Sequence, residues 1–312
     1  MLSRFNRIDL MLVALASLWG VNYNVVKSAI SGPGAVFTPI AFNAIRFSLA
    51  AITSLAIMRQ AGYVRPESRR HWLIILGLGI LGNTVYQVLF IVGIGLTSAA
   101  GSAMILATTP VLIALIGGVF RIERLSALAW AGITLSFAGI VVVVLGNEAG
   151  AGPDSTGNST RLGDLLIFLA TTTWSIYTLL SVPMLRHYSS TTVTSLSLAA
   201  GALPLVVIAL PDLARLDWRS VPLTGWTAAL FSGMFALGIG YVVWNHGIKL
   251  IGGARTAVYS NLIPVVAAIV AWLARREALT VYHLLGAAII LTGINLTRRG
   301  RQARLEPLPA EE

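Results

Sequence analysis

The chain contains no cysteine, and charged side chains make up only 11% of its 312 residues. Without cysteine there is no disulfide framework, no thiol nucleophile and no cysteine-based metal site. The mean hydropathy is +0.81, and ordinary soluble domains carry roughly a quarter of charged residues. Both properties therefore indicate a membrane protein.

Clusters typical of several other function classes are also missing from the sequence. The four histidines lie in separate segments without metal-ligand spacing, and the basic residues form no groove flanked by aromatic residues. We therefore predict no catalytic residue, no metal, no cofactor and no nucleic-acid partner. A membrane-embedded enzyme and a channel are the alternatives from other classes.

Apolar runs occupy most of the sequence. A helix that crosses a bilayer needs about 20 apolar residues, and ten segments are long enough or nearly so. They lie at 9–30, 38–58, 72–94, 97–119, 127–145, 163–183, 191–210, 223–245, 254–273 and 280–297. We predict an all-α integral membrane protein with ten transmembrane helices.

The positions of the basic residues predict the orientation of these helices. Lys and Arg favour cytoplasmic loops. A cytoplasmic N-terminus puts fifteen of them inside and six outside, with Arg46 within a helix. Both termini are then cytoplasmic, in a multi-pass protein of the inner (cytoplasmic) membrane.

An internal repeat relates the two halves of the chain. GIGLTSAAGSAMILATTPVLIALI at 93–116 returns as GIKLIGGARTAVYSNLIPVVAAIV at 247–270, and a shift of 154 residues superimposes Pro110 on Pro264. Each half holds five helices, an odd number, so the second copy enters the bilayer from the opposite side. Secondary transporters recur with such inverted repeats and bind their solute near mid-membrane, where the halves meet. The predicted units are a first repeat at 1–146, a polar linker at 147–162, a second repeat at 163–300 and a cytoplasmic tail at 301–312.

Three features resemble one family in combination. They are SLWGVNYNVVK at 17–27, FTPIAFNAIRFSLAAI at 37–52, and the twin prolines with their Arg-x-Glu loops. Together they are similar to the drug/metabolite transporter superfamily, specifically its ten-helix EamA-type members, and most similar to the YddG-like aromatic amino-acid exporters. The resemblance implies a cavity lined mainly by helices one, three, four, six, eight and nine.

Polar and aromatic side chains at helical spacing predict the substrate cavity. Residues three and four apart share a helix face, and such stripes occur on four helices. The candidates are Trp19, Asn22, Tyr23, Asn83, Tyr86, Gln87, Trp174, Tyr177, Tyr241, Trp244, Asn245 and, on helix nine, Tyr259. Aromatic faces beside amides suit a neutral or zwitterionic organic solute. For each single Asn or Tyr, a bond to a neighbouring helix explains the residue equally well.

A second set of residues is predicted to have structural or gating roles. These are Lys27, Arg46, Pro110, Pro264, Glu123 and Glu277. Arg46 either binds a carboxylate or snorkels and caps carbonyls at the outer mouth. None of the twelve acidic residues lies in the middle of a segment, which predicts a facilitator or coupling through another group such as His246.

These observations predict a secondary transporter rather than an enzyme. It would move small organic metabolites by alternating access as a monomer, exporting amino acids and favouring aromatic ones. Threonine-like amino acids, purines and xenobiotics are the alternative solutes.

Overall fold

Ten apolar helices make up the fold. The computed structural model describes residues 7–31, 35–120, 124–149, 157–275 and 280–302. Within these ranges nine helices are long and apolar enough to cross a membrane, and a tenth is shorter. In chain order they are α1 Arg7–Ile30, α2 Pro39–Ala61, α3 Arg69–Leu96, α4 Ala99–Val119, α5 Ala127–Leu145, α6 Thr160–His187, α7 Ser190–Arg215, α8 Leu223–Ile251, α9 Arg255–Leu273 and α10 Val281–Thr297.

This architecture confirms the predicted all-α membrane fold, since each apolar segment of the sequence coincides with one helix. Two short strands, β1 Arg124–Leu125 and β2 Arg301–Gln302, pair antiparallel. Glu123, Glu277, the linker residues 150–156 and the tail beyond residue 302 lie outside the described residues.

Hydroxyl side chains mark the beginnings of six helices. At α2, α3, α4, α5, α7 and α10 a hydroxyl accepts a hydrogen bond from the backbone N–H three residues later: Thr38, Ser68, Ser98, Ser126, Ser189 and Thr280. The first N–H groups of a helix have no partner within the helix, and an N-cap hydroxyl satisfies one of them. These caps therefore fix where the spans begin.

The two helices that contain the repeated prolines, Pro110 and Pro264, are interrupted at matched positions. α4 breaks at residues 107–108, just before Pro110, and α9 passes through a 3-10 turn at Tyr259–Asn261, just before Pro264. Proline lacks the N–H that would continue the ladder. In α4 the Thr109 hydroxyl instead donates to the Leu106 carbonyl over 2.6 Å. The repeated prolines therefore mark breaks in both helices, and in α4 a side chain satisfies the freed carbonyl.

The third helix of each half contains a π-helical segment. The segments are Ile80–Val85 in α3 and Phe231–Ile239 in α8. They overlap when the chain is shifted by 154 residues. A π turn inserts extra backbone into an α-helix and often occurs at functional sites. It rotates the residues that follow it relative to those before it.

Helices from the two halves touch through glycines. A Cβ atom at Gly79 of α3 would lie 2.5 Å from the Ser197 carbonyl oxygen of α7, and one at Gly233 of α8 would lie 2.7 Å from the Arg46 carbonyl oxygen of α2. Contacts this short leave no room for a larger side chain. Small residues let the backbones of membrane helices approach closely.

α5 and α10 cross through a second set of glycines. A Cβ at Gly132 would lie 2.6 Å from the Gly293 carbonyl oxygen, and one at Gly293 would lie 2.6 Å from that of Gly132. Gly139 and Gly286 oppose each other in the same way at 3.1 Å. The shift of 154 residues places Gly132 on Gly286 and Gly139 on Gly293, so each helix presents the same surface to the other.

Candidate functional site

A small cavity of about 30 Å³ lies among seven of the ten helices. The lining residues are Trp19, Asn22 and Tyr23 of α1, Arg46 of α2, Tyr86, Gln87 and Phe90 of α3, Leu106 of α4, Trp174 of α6, Leu237 and Tyr241 of α8, and Ile263 of α9. The lining helices are those that the resemblance implies, with α2 added through Arg46. Among the described residues, α5 and α10 contribute none of the lining.

The indole of Trp174 occupies the centre of an aromatic cluster around this cavity. Its ring centroid lies 5.0 Å from Tyr86, 5.0 Å from Tyr177, 5.1 Å from Tyr241 and 5.8 Å from Trp244. Ring pairs at such distances attract one another beyond the burial of their surfaces. Trp174 therefore joins α3, α6 and α8 through stacked and tilted rings.

The α1 side of the cavity combines aromatic rings with polar atoms that lack partners. Trp19 is fixed by its indole N–H, which donates to the Ala236 carbonyl over 2.7 Å. The Asn22 Oδ1 atom and the Tyr23 hydroxyl are buried and have no hydrogen-bond partner within the described chain. Buried polar groups are normally satisfied, so two such atoms beside a cavity make this side a candidate binding site.

Arg46 is fully buried beside the same cavity. Its guanidinium donates from Nε to Asn43 Oδ1 over 2.8 Å, from Nη1 to Ser232 Oγ over 3.2 Å and from Nη2 to Gln87 Oε1 over 2.6 Å. These three acceptors are neutral groups, two side-chain amides and one hydroxyl. Three phenylalanine rings also surround the guanidinium, with centroids 5.7 to 5.9 Å from its central carbon: Phe42, Phe47 and Phe90.

Five of the predicted substrate residues do not line this cavity. Asn83 is buried against Gly201 of α7. Asn245 donates to the Tyr177 hydroxyl over 3.1 Å and to Thr194 over 2.7 Å. The remaining two, Trp244 and Tyr259, border a smaller space that also touches Trp19. These residues support the wall from behind or close it on one side.

Four lining residues have apolar side chains, which a pattern of polar residues at helical spacing does not select. Phe90 contacts the rings of Tyr23 and Tyr86 at 5.4 and 5.9 Å. It lies one helical turn after Tyr86, so the same i, i+4 spacing that selected Tyr86 and Gln87 could have found it. Leu106, Leu237 and Ile263 carry no such signal, because apolar residues fill every segment.

Lys27 ties the end of α1 to the end of α3. Its ammonium group donates to the carbonyls of Ile94, Gly95 and Thr97 over 2.7, 3.1 and 2.6 Å. The last carbonyls of a helix lack partners within the helix and carry partial negative charge. Thr97 in turn donates its hydroxyl to Asp164 of α6 over 2.7 Å. This cluster therefore joins three helices at one end of the bundle.

We expect Lys27→Met to lower the stability of the folded protein by about 1–3 kcal/mol, because the substitution strips three partly buried carbonyls of a charged donor. Lys249→Met is the matched control, since among the described residues Lys249 donates to a single carbonyl, that of Tyr188 at 3.0 Å. Thermal unfolding in detergent measures both variants. Equal losses in the two variants would contradict the capping role.

The sequence matches a known family along nearly its whole length. The profile of the EamA-like transporter family matches residues 6–145 and again residues 161–299. The chain belongs to the EamA-like transporter family. The two matches coincide with α1–α5 and α6–α10.

Several EamA-like relatives are similar over almost their full length. The uncharacterized transporter YyaM of Bacillus subtilis is 28% identical, covering 94% of this chain and 93% of its own. An uncharacterized transporter of Archaeoglobus fulgidus is 26% identical, over 94% of this chain and 99% of that one. A probable terminal-alkyne amino-acid exporter of Streptantibioticus cattleyicolor is 23% identical, over 92% of each chain.

A protein of known crystal structure shares the fold of this EamA-like transporter. The two superimpose with a TM-score of 0.67, covering 94% of this chain and 98% of the other, at 21% sequence identity. At this level of identity the similarity concerns the fold alone.

Proposed function

We propose that this EamA-like membrane transporter is a secondary carrier that exports small organic metabolites, amino acids above all and aromatic ones preferentially, by alternating access. The observation that carries the proposal is the cavity between the halves, walled by aromatic rings and by buried polar atoms without partners. We place it in the inner membrane as a monomer with both termini in the cytoplasm. It is not proposed as an enzyme.

The size of the cavity supports a cycle with a closed state. Its volume of about 30 Å³ has room for roughly one or two water molecules. Sites that hold small organic ligands measure about 300 Å³ or more. A solute of amino-acid size therefore enters only when the helices around the cavity move apart. In the described conformation the helices are closed around the cavity and its aromatic cluster.

The contacts between the halves support the inverted repeat. Gly79 lies on the Ser197 carbonyl and the side chain of Ala200, and Gly233 lies on the Arg46 carbonyl and the side chain of Leu49. Gly79 and Gly233 differ by 154 positions, and the two pairs of partners differ by 151. The contact of α3 with α7 and the contact of α8 with α2 are therefore equivalent, as a two-fold axis between the halves requires.

Two carboxylates at opposite ends of the bundle support the alternation. Asp9, near the start of α1, accepts a hydrogen bond from the Tyr259 hydroxyl of α9. Asp164, near the start of α6, accepts one from the Thr97 hydroxyl at the end of α3. A shift of 155 residues places Asp9 on Asp164. Each bond joins one half to the other, so opening one end breaks one bond while the other bond is kept.

Flux measurements in liposomes test the proposal. Purified protein is assayed for transport of labelled tryptophan and phenylalanine, with threonine for comparison, with and without a pH gradient. We expect saturable aromatic flux that falls at least about fivefold in Trp19→Ala or Tyr86→Ala, because each variant removes a ring from the wall. Flux of threonine alone would move the preference to other amino acids.

A pH gradient separates the facilitator from a proton-coupled carrier. Proton coupling at the binding site needs a titrating group there, and the described lining contains no Asp, Glu or His, since Asp9 and Asp164 lie outside it. His246, on α8, is also outside this lining. We therefore expect equal initial rates with and without an imposed pH gradient. Strong acceleration by the gradient would contradict the facilitator.

A further inference from the structure

The position of Arg46 has no charged counterpart in the other half. The contacts of Gly79 and Gly233 place Arg46 of α2 on Ser197 of α7. Both residues are fully buried, but only Arg46 carries a charge. The two halves otherwise build the wall with matched elements, the broken helices α4 and α9 and the π segments of α3 and α8. Arg46 therefore gives the first half a positive charge that the matched position of the second half lacks.

This charge is held without an anion. The acceptors of Arg46 in the described residues are an amide, a second amide and a hydroxyl. Neutral acceptors satisfy the N–H groups but do not neutralise the cation, and a buried charge without a partner is costly. An ionisable residue within a membrane helix is a functional candidate for this reason. An anionic group beside Arg46 would neutralise this charge.

The geometry next to Arg46 fits a carboxylate. Arginine presents paired N–H donors that match the two oxygens of a carboxylate. Tyr23 and Asn22 line the same cavity as Arg46, and the Tyr23 hydroxyl and the Asn22 Oδ1 atom are buried and have no partner among the described residues. A hydroxyl can donate to the same carboxylate, and an amide oxygen can accept from an ammonium group.

We propose that Arg46 binds the carboxylate of the transported solute, and that this cavity therefore selects carboxylate-bearing molecules, α-amino acids among them. The inference rests on the proposed transport function and names the solute class at the same cavity. The amine of an amino acid then faces Asn22, and its side chain faces the rings of Trp174, Tyr86 and Tyr241.

Matched pairs of acid and amide test this assignment by binding alone. The full chain in lipid nanodiscs is titrated with phenylalanine and phenylalaninamide, threonine and threoninamide, and hydrocinnamate and hydrocinnamamide. Intrinsic tryptophan fluorescence reports binding, because Trp19 and Trp174 border the cavity. We expect the acid of at least one pair to bind about tenfold more tightly than its amide, the effect of one charge-assisted contact.

Variants of two arginines on α2 locate the effect. We expect Arg46→Gln to bring the acid-to-amide ratio close to one, and Arg46→Lys to keep part of it. Arg59→Gln is the control, since Arg59 lies in the last turn of α2 and is exposed, and the ratio is expected to be unchanged. If Arg46→Gln does not fold, the wild-type ratio and the Arg46→Lys ratio decide.

The outcomes separate the two proposals. Equal binding of acid and amide in the wild type, an unchanged ratio in Arg46→Gln, or no binding of any acid would overturn the role of Arg46. Saturable flux of phenylalanine together with equal binding leaves the transporter intact and removes only the carboxylate contact. A preserved ratio for threonine, without binding of phenylalanine or hydrocinnamate, supports Arg46 and overturns the aromatic preference.

Discussion

Trp174→Ala is expected to reduce transport by about a hundredfold at equal protein amounts. The indole contacts rings on α1, α3 and α8, with Trp19 at 6.2 Å, Tyr86 at 5.0 Å and Tyr241 at 5.1 Å. Truncation of a buried tryptophan costs about 3–5 kcal/mol of packing. A rise of roughly 2.7 kcal/mol in the barrier to passage would slow transport by that factor.

Two variants distinguish the cavity from general packing. Trp174→Phe keeps a ring at the centre of the cluster, and we expect it to retain most of the transport rate. Trp272→Ala is the matched control, because Trp272 on α9 is 62% exposed on the outer surface of the bundle. Initial rates in liposomes measure all three. Similar losses in Trp174→Ala and Trp272→Ala would contradict the central role of Trp174.

Gly79→Val is expected to lower the stability of the protein by about 3 kcal/mol, at the upper end of what overpacking usually costs. The added Cβ would lie 2.5 Å from the Ser197 carbonyl oxygen and 2.7 Å from the Ala200 side chain. A carbonyl oxygen in the backbone of α7 cannot move aside without moving that helix. α3 and α7 must therefore separate, and the wall of the cavity separates with them.

The same helix supplies the control for this substitution. Gly77 lies two residues earlier on α3, and a Cβ there would meet no atom within 4 Å. We expect Gly77→Val to change the unfolding temperature little, since valine is placed in open space. Unfolding in detergent, followed by fluorescence, compares the two variants. A large loss in Gly77→Val would show that the helix, and not the contact with α7, is sensitive to valine.

Hydropathy predicted the spans well but could not predict their internal breaks. The segments at 97–119 and 254–273 each read as one apolar run, whereas the structure interrupts both ahead of their prolines. Average hydropathy measures transfer into lipid, which is the same for a straight helix and a broken one. The matched Pro110 and Pro264 were the only sign of the interruptions, and they did not define their geometry.

Helical periodicity selected several residues that line the cavity, but it also selected Asn83, which does not line it. Trp19, Asn22 and Tyr23 share one face because α1 is regular around them. Asn83 precedes Tyr86 by three residues, yet it is packed against Gly201 of α7. The π segment Ile80–Val85 contains Asn83 and ends just before Tyr86. It changes the angle between them, which a pattern of 3.6 residues per turn does not describe.

α5 and α10 present the same glycine surface to each other. Two separate copies of one half would therefore pair through this surface as a symmetric dimer. In such a dimer every position of the cavity would occur twice, and an arginine at position 46 would bring two like charges to the same small space. When both halves belong to one chain their sequences can differ, and the position equivalent to Arg46 is then Ser197. Gene fusion thus permits a symmetric framework to hold a cavity with one positive side.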